Sequence, residues 1–206
     1  MTRFLPLLAA ALRASCASEE PAVLANDQEA AAPPPAVQPA DAPAPETLAP
    51  LTPEGWGPLR IGMTLQQVTD ALGPDADPEA VGGPDPESCD QFRPQRAPRG
   101  MLVMIENGRL TSIALIDDSE VKTDKGLGLG IPSAQVVESY GAAATVTPHK
   151  YQDPPAAYIT IWSKGGGKAY VEDEAARGLV YEVDEQGKVA VIHAGGPSIQ
   201  YVEGCA

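Results

Sequence analysis

The sequence predicts an α+β domain built from two tandem helix-plus-antiparallel-hairpin units that share or pair their β-sheets. The segment at 59–73, LRIGMTLQQVTDALG, recurs 68 positions later at 127–141 as LGLGIPSAQVVESYG. Each copy is followed by short stretches with the apolar alternation and turn signals of strands. Helices that precede antiparallel strands in this way typically pack on one face of the sheet.

The chain begins with the features of an export signal. A basic residue precedes an apolar run at 4–12, which suits the core of a signal peptide and is shorter than the ~20 residues of a membrane span. We therefore predict a signal peptide over residues 1–18. Small residues before Cys16 fit a lipoprotein signal in which that cysteine is lipidated. Arg13 stands where an aliphatic residue is usual, so ordinary cleavage near Ala17 or Ser18, without lipid, is the alternative.

Residues 19–53 form a predicted disordered tether. They contain nine prolines, ten alanines and no aromatic residue, and such a segment buries too little apolar surface to offset its ordering entropy. The remaining residues, 54–206, are long enough for one domain. We divide this domain into repeat one, 54–122, and repeat two, 123–206. The predicted location is periplasmic or otherwise extracytoplasmic, lipid-anchored if Cys16 is modified and secreted if it is not.

Charge and cysteine usage restrict the partners. The formal net charge is −14, which disfavours nucleic acid and leaves the N-terminal lipid as the only expected contact with a membrane. Of the three cysteines, Cys89 and Cys205 remain for the domain. Disulfides persist in exported proteins, so these two predict a bridge. Two free thiols are the alternative.

Local signals place the individual elements. Thr64 and Gln67 match a capping box at the start of the first helix, and Asn107-Gly108 is typical of a tight hairpin turn. The second helix begins near Pro132. In repeat two, alternating apolar residues predict strands at 157–162, 168–172, 179–183 and 189–193.

Sequence patterns for catalysis or cofactor binding are weak. His149 and His193 lack a ligand at helical spacing, and we interpret them as a loop residue and a strand-end residue. The acidic clusters at 117–120 and 172–174 lack calcium-loop spacing and are interpreted as solvated turns. We therefore expect no metal, no cofactor and no enzymatic activity. The alternative is an envelope hydrolase or carbohydrate-active enzyme whose site combines scattered Asp and Glu side chains with His149.

The best candidate for a binding surface is aromatic. Alternation along strand 157–162 places Tyr158 and Trp162 on the face opposite its isoleucines, and Tyr170 follows on the next predicted strand. Tyrosine and tryptophan in polar surroundings are typical of interface hot spots, so these three residues predict a partner-binding surface. The alternative is that the helices cover this face and the rings are core.

The repeated motif also supports a resemblance. Ile-Gly-Met-Thr at 61–64, then Val68 and Leu72-Gly73, followed by a hairpin in an exported chain, resembles the small outer-membrane-assembly lipoproteins of the SmpA/OmlA type. Used twice, the motif is similar to the β-lactamase-inhibitor-protein-like fold. The resemblance covers the two helix–hairpin starts, about a third of the domain, and the longer strands of repeat two depart from it. It implies binding to an envelope protein and not catalysis, and it transfers no functional residue.

Overall fold

The structure, a computed structural model, describes residues 48–79, 82–164 and 170–205. Its class is α+β, as the sequence predicts. Two antiparallel sheets are present in the described residues, with strand orders β1-β2-β3 and β4-β5-β6-β10-β9-β8-β7. The element bounds are β1 Leu51–Thr52, β2 Gly55–Trp56, β3 Leu59–Arg60, α1 Leu65–Leu72, β4 Cys89–Phe92, β5 Met101–Glu106, β6 Arg109–Leu115, α2 Ser133–Tyr140, β7 Thr145–Pro148, β8 Ala157–Lys164, β9 Arg177–Val183 and β10 Val189–Gly195.

One face of the seven-stranded sheet carries the main core. Helix α1 packs against β6 and helix α2 against β8. Val68 of α1 and Val136 of α2 are fully buried and belong to one apolar cluster with the inward residues of the sheet, such as Ile113, Ile159 and Ile192. Strand alternation sends the intervening side chains to the opposite side, which we call the second face.

The local predictions for α1 and the first hairpin are confirmed. The Thr64 side chain accepts a hydrogen bond from the backbone N–H of Gln67, and the Gln67 side chain accepts one from the backbone N–H of Thr64. Asn107 and Gly108 join β5 to β6 with φ angles of 48° and 73°. This left-handed pair is what a two-residue hairpin turn requires.

The two helices begin with the same backbone hydrogen bonds. In each case three bonds tie the start of the helix to a hairpin turn and to the beginning of the strand after that turn, which is β6 for α1 and β10 for α2. The six bonds are Gly62 N–H to Leu110 O (2.7 Å), Leu110 N–H to Met63 O (2.8 Å), Leu65 N–H to Gly108 O (3.0 Å), Gly130 N–H to Val189 O (2.8 Å), Val189 N–H to Ile131 O (2.9 Å) and Ser133 N–H to Gly187 O (2.9 Å).

The predicted end of the tether needs correction. The tether predicted for 19–53 ends earlier than that, because Leu51 lies in β1, is fully buried and donates its N–H to the carbonyl of Lys122 at 2.9 Å. Residues 19–47 of the tether lie outside the described residues, as do the predicted signal peptide 1–18 and Cys16. Among the described residues, no helix has the length and apolar character needed to cross a membrane.

The strand predicted at 168–172 is wrong for its described part. Residues 170–173 form no strand, and β8 pairs instead with β7 and β9. The physical reason is a competing partner: Val171 donates its N–H to Gln200 Oε1 at 2.8 Å and accepts from Gln200 Nε2 at 2.7 Å. A side-chain amide thus satisfies the backbone groups that a neighbouring strand would otherwise satisfy.

A C-terminal segment, Gly196–Cys205, crosses the second face, and we call it the strap. Its 3-10 turn at Pro197–Gln200 contacts β6, β9 and β10 and buries Ile199. The predicted disulfide is confirmed: Cys205 is bonded to Cys89 of β4, with a Cα–Cα distance of 5.5 Å. The strap therefore ends covalently attached to an edge strand.

The strap is attached near both edges of the sheet. Glu203 accepts a hydrogen bond from the hydroxyl of Tyr151, between β7 and β8, and two residues later Cys205 is bonded to β4 at the opposite edge. The strap is therefore tied to both halves of the seven-stranded sheet.

Candidate functional site

Two tyrosines form a ridge between two hollows on the second face. Tyr170 is 62% exposed and Tyr201 of the strap is 46% exposed. Both line a groove of about 700 Å³ on one side and a smaller cavity of about 130 Å³ on the other. Burial raises the pKa of Tyr201, and the nearby Glu106 carboxylate and Tyr170 raise it further. The two tyrosines therefore form a shared boundary of the groove and the cavity.

The groove is bounded by the β5–β6 turn, the segment before β9 and the 3-10 turn of the strap. It contains three carboxylates and two guanidinium groups, from Glu106, Glu172, Glu174, Arg109 and Arg177. Both arginines are held by backbone carbonyls: Arg109 donates to Gly62 at 2.9 Å, and Arg177 donates to Ala176 at 2.6 Å. The groove surface is therefore polar with fixed positive groups.

The cavity is bounded by β8, β9 and β10 on one side and by the strap on the other. Register places Tyr158 opposite Glu182 on β9, and Val180 of β9 lies between Thr160 and His193 in one cross-strand row. Strap residues from Ile199 to Val202 close the other side. The cavity is thus lined by a carboxylate, an imidazole and phenol rings.

Glu182 is held between the two histidines of the chain. His149 Nδ1 accepts hydrogen bonds from the backbone N–H groups of Tyr151 and Gln152, each at 3.1 Å. The ring proton must therefore lie on Nε2, which donates to Glu182 Oε1 at 3.0 Å. His193 Nε2 lies 4.0 Å from the other carboxylate oxygen, Oε2. His149 also stacks on Tyr158, with ring centroids 4.7 Å apart.

This arrangement keeps Glu182 ionised. The His193 imidazole, and secondly the hydrogen bond from His149, hold the pKa of Glu182 below its usual value, against the opposing effect of burial. The pKa of Tyr158 is raised, first by burial and then by the charge of Glu182. The cavity therefore combines a stable anionic carboxylate with a neutral phenol.

Two polar atoms on the second face lack a hydrogen-bond partner among the described residues. The Tyr158 hydroxyl and the Trp162 Nε1–H are both buried and unpaired. A buried polar group without a partner costs about 1–3 kcal/mol, so each is a candidate for contact with a ligand. Trp162 pairs with Gly178 across the sheet, and its ring lies over that glycine: a Cβ on Gly178 would come 2.6 Å from Trp162 Cε3.

The residues predicted to bind a partner lie on the second face, opposite Ile159 and Ile161. Tyr158 and Trp162 are half-buried, whereas Tyr170 is exposed. The helices pack on the other face, so the alternative in which they cover these rings is wrong. Whether the three bind a partner stays a prediction.

Sequence reasoning missed the grouping of His149, Glu182 and His193. His149 is not an ordinary loop residue, because it is buried and bonded to Glu182, and His193 lies inside β10 rather than at its end. Glu182 was not considered, although its alternation with buried Tyr181 and Val183 marks it as a second-face residue. Contacts across 33 residues leave no local pattern.

The chemistry available in these two hollows is recognition by acceptors, aromatic rings and fixed cations. Among residues 48–79, 82–164 and 170–205, no three His, Cys, Asp or Glu side chains are grouped to hold a metal ion. Comparison of the chain with protein-family models, with curated proteins and with solved structures gives no match.

Proposed function

We propose that this protein is an extracytoplasmic binding or scaffold protein of the cell envelope, lipid-anchored through Cys16, that acts through contacts with another envelope protein. The observation that carries the proposal is the exposed ridge of Tyr170 and Tyr201 between two hollows on the second face. Tyrosine supplies a large, rigid contact area at low entropic cost and is enriched in hot spots. Hollows that flank such anchors favour binding.

The domain architecture supports a binding scaffold of two tandem units. We assign α1 with β4–β6 to one unit and α2 with β7–β10 to the other. The matching hydrogen bonds at the two helix starts support this division, because residues 62, 63 and 65 correspond to residues 130, 131 and 133 at the same spacing. The sheet order supports it too, since the last strands of the two units, β6 and β10, pair at its centre.

Two features support the proposed extracytoplasmic location. The disulfide between Cys89 and Cys205 fits an oxidising compartment outside the cytoplasm. The apolar run at 4–12 fits an export signal. Labelling with radioactive palmitate tests the anchor: wild type should carry label and Cys16→Ser should not. Label that persists in Cys16→Ser would contradict lipidation at this residue.

An envelope hydrolase remains a second candidate because His149 joins Glu182 in a buried pair. Two observations weigh against it. Both nitrogens of His149 are occupied, which leaves no position for a substrate proton. The cavity of about 130 Å³ is below the ~300 Å³ of typical small-molecule sites.

The test of the proposed function is crosslinking in intact envelopes. A photoreactive amino acid at position 170 or 201 should give a discrete crosslinked species with an envelope protein. The same residue at position 137 is the control, because Val137 of α2 is 39% exposed and lines neither hollow. We expect Tyr170→Ala/Tyr201→Ala to weaken capture of that protein and Val137→Ala to leave it intact. Equal capture by both variants would refute the assignment of the surface.

A further inference from the structure

We propose that the cavity beside the tyrosine ridge receives the ammonium group of a lysine side chain from the protein partner, an inference that rests on the proposed function. The cavity is lined by Tyr158, Glu182 and His193 on the sheet and by Tyr170 and Tyr201 at its rim. Three properties of the cavity indicate its occupant: the hydrogen-bond acceptors in its lining, the aromatic rings in its lining and its volume.

The unsatisfied groups of the cavity can both accept hydrogen bonds. Glu182 Oε1 is used by His149, which does not line the cavity. Oε2 is 4.0 Å from His193 Nε2 and so lacks a hydrogen bond of normal length. The Tyr158 hydroxyl, on the neighbouring strand opposite Glu182, is buried and unpaired. An ammonium group carries three donors and no acceptor, and it would satisfy both oxygens.

Aromatic rings around the carboxylate favour a cation over a neutral donor. Tyr158, Tyr170 and Tyr201 all border the cavity, and the faces of phenol rings attract ammonium groups within about 6 Å. Rings that surround a cation in this way are used elsewhere to recognise ammonium ligands.

The volume of the cavity is large enough only for the end of a side chain. A cavity of about 130 Å³ has room for about four water molecules at ~30 Å³ each. This is too small for a sugar or a nucleotide, whose sites are ~300 Å³ or more. An ammonium on a flexible stem is compact, whereas a planar guanidinium needs more width. The cavity therefore favours lysine over arginine.

The charge of the protein favours a basic partner. The chain has a net charge of −14. Charged side chains of the groove, the cavity and the adjoining strap comprise five glutamates, two arginines and one lysine: Glu106, Glu172, Glu174, Glu182, Glu203, Arg109, Arg177 and Lys150. This surplus of negative charge would steer a lysine-bearing surface towards the ridge.

The test uses the exported, disulfide-bonded chain and a small probe. N-acetyl-lysine-methylamide is titrated while amide shifts of β8, β9 and the strap are followed by NMR. N-acetyl-norleucine-methylamide is the control, because it keeps the stem and lacks the charge. We expect saturable shifts at the cavity with the lysine probe only. Shifts of equal size with norleucine, or tighter binding of N-acetyl-arginine-methylamide, would overturn the proposal.

Substitutions separate the contributions of the carboxylate and of the aromatic rings to lysine binding. Glu182→Gln keeps the shape and an acceptor for His149 and should weaken lysine binding about tenfold or more, because the charged hydrogen bond is lost. Tyr201→Leu should weaken it about two- to fivefold. Val137→Ala, on α2 and outside both hollows, should bind as wild type does, and unchanged affinity in both cavity variants would contradict the site. If photocrosslinking at position 170 still captures a partner while the lysine probe fails to bind, the cavity proposal is wrong and the proposed function stands.

Discussion

The disulfide that fixes the strap offers the sharpest test of the fold. Cys89 and Cys205 are separated by 116 residues. On the loop-closure relation, cross-linking such a separation lowers the entropy of the unfolded chain by an amount worth about 4.8 kcal/mol at 25 °C. Since a domain of this size is stable by about 5–15 kcal/mol, Cys89→Ser/Cys205→Ser should lose a third or more of its stability.

The assay is urea unfolding followed by Trp56 and Trp162 fluorescence, with and without reductant. Reduced wild type and Cys89→Ser/Cys205→Ser should share the same urea midpoint, which is lower than that of oxidised wild type. Reductant should not change the midpoint of the variant. The dependence of unfolding free energy on urea should steepen in the variant, because its unfolded chain exposes more surface. The entropic argument would be refuted if the free energy of unfolding fell by less than about 1 kcal/mol. For reduced wild type, mass spectrometry must show that both thiols are free.

Three further predictions concern single side chains. Gly178→Ala should destabilise by about 1–3 kcal/mol, because its Cβ would lie 2.6 Å from the Trp162 ring, whereas Gly196→Ala, with its nearest atom at 3.6 Å, should be tolerated; equal urea midpoints would contradict this. Thr64→Ala should cost about 1 kcal/mol through the lost capping box, and an unchanged midpoint would refute that role. The lowered pKa of Glu182 implies a stabilising contribution that is present above pH 4.5 and lost as pH falls through the lowered pKa, so the stability advantage of wild type over Glu182→Gln should shrink as the pH falls below 4.5. A constant difference would contradict it.

The sequence predicted those parts of the fold that are encoded locally. The capping box of Thr64 and Gln67 and the turn at Asn107-Gly108 depend on residues within a few positions of each other, so their chemistry is visible in the chain. The disulfide was predictable for a different reason: with Cys16 assigned to the signal, only one pairing was left. Fold class followed from these local signals.

What the sequence could not predict depends on partners far along the chain. The sequence predicts a strand at 168–172, yet the backbone N–H and C=O of Val171 bond to the side chain of Gln200, 29 residues away. His149 and Glu182 are 33 positions apart, and nothing near either residue indicates the other. Strand β7, Thr145–Pro148, was also missed; it is short, and its proline is tolerated because β7 is an edge strand.

The two faces of the large sheet therefore raise different expectations for function. On the helix face, both helices begin with matching backbone bonds, and this face serves packing. On the second face the halves differ: β7 has no counterpart in the described part of the first half, and the strap crosses from β10 to β4. Because strap residues Gln200 and Tyr201 line both hollows, the strap completes the candidate site as well as covering the sheet. Opening the disulfide should consequently weaken lysine-probe binding even under conditions where the helix face stays folded.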